Sequence, residues 1–168
     1  ETRDDWATWW RYFGQEAAFF TCTIALEDGD RVEIGPHAFE VLYTPGHASD
    51  GIVLYNRAQR VLISSDTLWE RGVAVLNPRV EGSTAPHRVL DSLERLESLE
   101  VERAYPGHGP PFRDVRGALQ RTRNRVRAYL ADPSRISADL VQKILVYTML
   151  MHPGEDRAGL LRRITAVP

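Results

Sequence analysis

"AFEVLYTPGHASD", residues 38–50, is an apolar run that stops at Pro-Gly-His. "AYPGHGPPF", residues 104–112, repeats the device. Proline fixes φ and lacks an N–H, and glycine admits backbone conformations closed to other residues, so a Pro-Gly pair ends a strand and turns the chain. A histidine held just past such a turn points off the end of a sheet. Between the two stretches lies "RVLISSDTLW", residues 60–69, a β-branched run that ends at Asp66. His47, Asp66 and His108 thus each follow a predicted strand. If those strands share a sheet and run the same way, the three side chains line one edge, where α/β sheets commonly bind ligands. Two imidazoles and one carboxylate suit Zn, Mn or Fe(II). Each residue alone also has an ordinary reading. Asp66 in "SDT" is a turn or helix cap, and each histidine is a hydrogen-bonded surface residue.

Outward from these loops, the spacing predicts strands at 31–34, 38–43, 51–55 and 60–64, parted by the turn sequences "GPH", "TPGHASD" and "NRAQ". "EDGD" at 27–30 is a further turn. A loop of about twenty residues follows, in which Leu68 and Trp69 are read either as pocket lining or as ordinary packing. A helix is predicted over 86–99, with Val89, Leu90, Leu93, Leu96 and Leu99 on its apolar face. After a short strand at 101–105, three helices are predicted at 113–131, 137–151 and 155–164, with Ser137 as N-cap of the second. Upstream, Trp6, Trp9, Trp10 and Phe13 recur at helical spacing, which predicts an amphipathic helix over 2–14 with a core-facing aromatic stripe. The sum is a mixed α/β layered domain with a helical C-terminal appendage.

Composition narrows the function class. The 168 residues suit one domain or a compact part of one. With 43% hydrophobic and 26% charged residues, the chain reads as soluble and globular rather than disordered. A formal net charge of −2 favours neither nucleic acid nor an anionic membrane. The longest apolar run, "ILVYTMLM" at 144–151, falls far short of a membrane span. The single cysteine, Cys22, excludes an internal disulfide and fits a small hydrophobe in a reducing, cytoplasmic compartment. Of the 21 basic residues only Lys143 is lysine. Six arginines crowd the helix at 113–131, flanking a stripe of Val115, Leu119, Val126 and Leu130. They are read as solvated flanks pairing with acidic neighbours such as Glu94 and Glu97, in preference to an anion or RNA site.

Taken together, residues 27–112 resemble the second half of the metallo-β-lactamase superfamily. That family's pattern is a Thr-Pro-Gly-His loop, a strand ending in Gly-Asp, and a Pro-Gly-His-Gly loop. The resemblance implies an α/β fold: residues 1–112 as the C-terminal part of an αββα sandwich, and 113–168 as a helical tail like that of the glyoxalase II-like and lactamase-B2-like branch. It implies that His47 completes a three-histidine metal site, that Asp66 bridges two metals and orients the attacking hydroxide, and that His108 binds the second metal. The implied cofactor is one or two Zn ions, with Fe or Mn as alternatives. The implied reaction is hydrolysis of an ester, thioester, lactone or similar bond in a small-molecule substrate. An iron-dependent oxidoreductase of the persulfide dioxygenase type and a non-catalytic, RNA-binding relative are the competing readings. Two departures stand out. Ser65 replaces the usual glycine before the aspartate, and its hydroxyl can reach the carboxylate. The family's His-x-His-x-Asp-His motif is absent, and His37, His87 and His152 are isolated residues read as surface. The expectation is therefore a fragment lacking the N-terminal half, with weak metal binding and little activity of its own. Such a fragment is expected to self-associate over the sheet face left bare.

Overall fold

A computed structural model describes residues 24–165. The predicted helix at 2–14 and Cys22 lie outside the described residues. Five strands form one sheet in sequence order: β1 (Arg31–Ile34), β2 (His37–Tyr43), β3 (Ile52–Asn56), β4 (Val61–Ser65) and β5 (Arg103–Pro106). β1 to β4 make an antiparallel meander. The first hairpin pairs Ile34 with His37, so only Gly35 and Pro36 form its turn, and β2 starts one residue earlier than predicted. Gly35 takes φ +60 there, a conformation that favours glycine in so short a loop.

β5 adds to β4 in parallel, with Leu62 opposite Ala104. A parallel pair needs a crossover, here α1 (Pro78–Glu81) and α2 (Ala85–Glu97). α1 falls in what the sequence suggested was plain loop; the Asn77 carbonyl takes the N–H groups of both Val80 and Glu81. Two reversals in the meander, then a parallel addition, leave β2, β4 and β5 pointing the same way. Their C-terminal ends lie along one edge, which was the open condition on bringing the three polar residues together.

Period-2 alternation sorts the strand residues between two faces. Leu42, Val53, Tyr55, Leu62 and Ala104 share one face and are all buried. On them α2 lays Val89, Leu93 and Leu96, and α3 (Val115–Ala131) adds Val115, Ala118, Leu119 and Val126, all in one cluster. Burying each such large aliphatic side chain contributes roughly 1.5–3 kcal/mol. On the other face Val41 is buried, while Ile34, Tyr43 and Tyr105 are exposed.

Asp114 caps α3, its carboxylate accepting the Gly117 N–H at 3.1 Å. Arg123 of α3 grips Glu97 of α2 through two hydrogen bonds of 2.6 and 3.2 Å, which holds the Glu97 carboxyl below its usual range. α4 (Ser134–Met151) begins earlier than predicted. Pro133 is tolerated at a helix start, and the Asp132 carboxylate accepts from both the N–H and the hydroxyl of Ser134. Ser137 therefore lies inside the helix and is not its cap. α5 (Arg157–Thr165) follows. Packing groups Leu26–Lys143 into one compact unit, and helical residues from Ile144 onward belong to a second. The expected division at 112 falls inside the first unit, because α3 buries its face against α2 and the sheet. Among the described residues no helix is long and apolar enough to cross a membrane.

One contact ties the turn before β1 to the helix layer. Asp28 accepts the Tyr43 N–H at 2.7 Å and pairs with Arg95 at 2.8 Å. The Arg95 hydrogen bond, then the Tyr43 N–H, hold the Asp28 carboxyl below its ordinary value. A depressed folded-state pKa gives stability that is complete above the unfolded value, about 3.9, and is lost as pH falls through the folded value. Arg95→Met is expected to flatten this acid limb: thermal melts of variant and parent should differ most near neutral pH and draw together as pH falls through the folded Asp28 value. Curves that stay parallel across the acid limb would refute the assignment.

Candidate metal centre

Three loops at the common edge carry the polar residues, and each is shaped by a different contact. In the first, the Thr44 N–H bonds Gly51 O at 2.8 Å and the Gly46 N–H bonds Ala48 O at 3.1 Å, folding the loop back on itself. Gly46 has φ +147, and an added Cβ would lie 2.9 Å from the backbone nitrogen of Val89 on α2. Ser92, one turn along that helix, donates its hydroxyl to Pro45 O at 2.8 Å. The helix thus presses on the loop, and glycine leaves it room.

Asp66 sits in a tight turn closed by the Thr67 N–H to Ser64 O at 3.0 Å. The turn places Ser65 at φ +46, the left-handed region that glycine fills in the family pattern. The buried Ser64 hydroxyl braces the turn by donating to Leu68 O at 2.7 Å. A Thr44–Thr67 hydroxyl pair at 2.9 Å links this loop to the first. In the third loop, the Gly107 N–H bonds Ser65 O at 2.7 Å. The Asp66 carboxylate occupies the space a Cβ on Gly107 would take. The two Pro-Gly-His stretches therefore need glycine for two reasons: one faces a helix, the other a carboxylate.

The result is a row. His47 Nε2 lies 3.6 Å from Asp66 Oδ2, and His108 Nε2 lies 3.7 Å from Asp66 Oδ1. His47 Nδ1 is 2.7 Å from Val75 O. A carbonyl only accepts, so this contact places a proton on Nδ1 and, in the neutral ring, turns the Nε2 lone pair toward Asp66. A lone pair facing a carboxylate calls for a positive charge between them, a proton or a cation. Zinc holds imidazole nitrogen and carboxylate oxygen at about 2.0–2.2 Å each, so two such ligands stand up to about 4 Å apart. Both pairs fit an ion on that measure. Among the described residues no three His, Cys, Asp or Glu side chains converge as one cluster. The arrangement is two imidazole–carboxylate pairs sharing one carboxylate.

Two further groups join the row: the Val75 carbonyl, and Trp69, which the sequence left as either pocket lining or ordinary packing. The Val75 carbonyl is backbone and carries no sequence signal. Trp69 donates its indole N–H to Asp66 Oδ1 at 3.0 Å and meets His108 edge-on, with ring centroids 5.0 Å apart. That indole, rather than the Ser65 hydroxyl, supplies the hydrogen bond to the Asp66 carboxylate. Leu68 is simply core, at 1% exposure. Burial pushes the Glu81 carboxyl up, while His47, the Ser49 N–H and Arg88 act the other way. His37 and His87 are exposed and His152 is half-buried; none of them joins the row.

Comparison with known proteins matches this picture. The sequence model described as "Metallo-beta-lactamase superfamily" matches residues 2–108. Hydroxyacylglutathione hydrolase of Pseudomonas paraeruginosa is 36% identical over 133 residues, covering 70% of this chain and 50% of that protein. A metallo-beta-lactamase family protein from Thermus thermophilus superimposes with a TM-score of 0.62 at 21% identity, over 98% of this chain and 57% of the other, a likeness of fold. TTHA1623 in a di-iron-bound form gives a TM-score of 0.51 at 29% identity, over 70% and 53%. The chain spans half or less of the length of the curated relatives it matches, from 26% to 50%.

The two glycines are expected to respond differently to alanine. Gly46→Ala meets helix backbone from a left-handed φ and should cost about 3 kcal/mol. Gly107→Ala meets mainly a carboxylate that can rotate and should cost about 1 kcal/mol. Ser65→Gly should instead gain about 0.5–1 kcal/mol, since relief of the left-handed strain exceeds the added chain entropy. Chemical denaturation of the three variants measures all three; equal losses at the two glycines, or destabilisation by Ser65→Gly, would contradict this account.

Proposed function

The chain belongs to the metallo-β-lactamase superfamily, and on that premise we propose that His47, Asp66 and His108 are metal ligands of a hydrolase centre that cleaves an ester, thioester or related bond. The observation that carries the reading is the row itself: two imidazole nitrogens on opposite oxygens of one carboxylate. Relatives named hydroxyacylglutathione hydrolase support a thioester within that range. A bound metal ion would lower the pKa of a coordinated water to about 7 and polarise the scissile carbonyl.

The chain's own residues have distinct tasks. His47 is held in one tautomer by Val75 O, so its Nε2 is free to ligate. Asp66 offers one oxygen to each position and is the group through which the two positions communicate. The Thr44–Thr67 hydroxyl pair and Ser92 fix the floor of the cleft that Pro45, His47, Asp66 and Ala74 line. Two ligands per position leave each ion short of the four that zinc usually takes. We propose that the remaining ligands come from a histidine-bearing segment outside these 168 residues, so that this chain alone binds metal weakly and hydrolyses little. The donor set suits zinc and iron alike, and the di-iron-bound neighbour supports keeping iron as the second candidate.

The shared carboxylate makes the reading testable. Under zinc titration followed by imidazole NMR, Asp66→Asn should weaken binding at both histidines by at least about tenfold, while His47→Ala and His108→Ala should each weaken mainly their own position. Zinc that perturbs His47 and His108 equally in the parent and in Asp66→Asn would sink the proposal. Metal analysis of protein purified without added metal would separate zinc from iron.

A further inference from the structure

Histidines of a metal centre are normally held by a second hydrogen bond that fixes ring orientation. His47 has one, through Nδ1 to Val75 O. Among the described residues His108 has none. Its side chain is 70% exposed, and the groups beside it are Asp66 and Trp69. Trp69 touches both members of this half of the row. Its N–H reaches Asp66 Oδ1, the same oxygen that faces His108, and its ring meets the His108 imidazole at 69°. An indole N–H only donates, so it is directed at the carboxylate. A carboxylate offers about four lone-pair sites, so Oδ1 keeps one for an ion. Trp69 is itself fixed on both sides. Leu68 is sunk in the core, and the Glu70 carbonyl takes two hydrogen bonds from Arg121 of α3 at 2.8 and 3.1 Å.

We infer that Trp69 is a positioning residue for the His108 side of the centre: its N–H sets the plane of the Asp66 carboxylate and its ring sets the His108 imidazole. It does for His108 what the Val75 carbonyl does for His47. The two sides of the centre are thus organised differently, one by backbone and one by a replaceable side chain. Changing Trp69 acts directly on the His108 side and reaches His47 only through the far oxygen of Asp66. The inference rests on the metal-ligand reading proposed above.

The test is a zinc titration of the 168-residue chain, wild type and Trp69→Phe, followed by the imidazole resonances of His47 and His108. Phenylalanine keeps a ring and removes the donor. The apparent dissociation constant at His108 is expected to rise about tenfold, and that at His47 by less than about twofold. Equal constants at His108 in the two proteins overturn the inference, as does equal weakening at both histidines, which marks a merely structural role. Zinc that moves neither imidazole in the wild type overturns the metal reading itself, and this inference with it. A second measurement needs no variant. The Trp69 indole N–H resonance of the wild type should shift with the same apparent constant as His108, and an indole indifferent to zinc bound at His108 overturns the proposal.

Discussion

The Asp66 carboxylate, seated over Gly107 with an imidazole at each oxygen, is the contact on which the centre depends. The Gly107 N–H bonds the Ser65 carbonyl, drawing the ends of β4 and β5 together. The ladder between those strands slips at Ile63 and Ser65, where regular pairing gives way to this closure. A side chain at 107 would displace the Asp66 carboxylate, so the third loop turns on a glycine and carries His108 across to the far oxygen. Loss of that contact would leave three polar loops at one edge without a common element.

Precision in these loops comes from the core beneath them. α2 buries Val89, Leu93 and Leu96, and the same helix presses Val89 on Gly46 and offers Ser92 to Pro45. Apolar burial thus sets where the first Pro-Gly-His loop sits. The exposed ion pairs along α2 and α3, such as Arg123 with Glu97, are screened by water and matter less for stability than for the register of the two helices. They also account for part of the arginine run in α3: Arg121 is spent on Asp114 and the Glu70 carbonyl, and Arg123 on Glu97. That is the arrangement expected of a solvated, paired helix flank.

The departures from the family pattern have different physical weight. Ser65 keeps the turn in left-handed φ and stores a little strain next to Asp66. The His-x-His-x-Asp-His motif, absent from these 168 residues, bears on the chemistry much more, because each imidazole–carboxylate pair among the described residues offers only two donors.

Much of this was legible in the sequence because local rules apply locally. Pro-Gly pairs end strands, alternation marks sheet faces, and leucine spacing marks the buried face of α2, so the strands, the main helices and the candidates His47, Asp66 and His108 could be named from residues alone. Ends were less legible. Ser137 had the right chemistry for a cap, but Pro133 and Asp132 started α4 earlier, and α1 was too short to show a period. What only the tertiary structure decided was direction and distance. Whether β2, β4 and β5 run the same way depends on pairing between residues far apart in sequence. The packing of α2 against Gly46 and of the Asp66 carboxylate against Gly107 depends on through-space contacts that spacing along the chain does not encode. The Val75 carbonyl that orients His47 belongs to the backbone, which is the same at every position, and only the folded chain could select it.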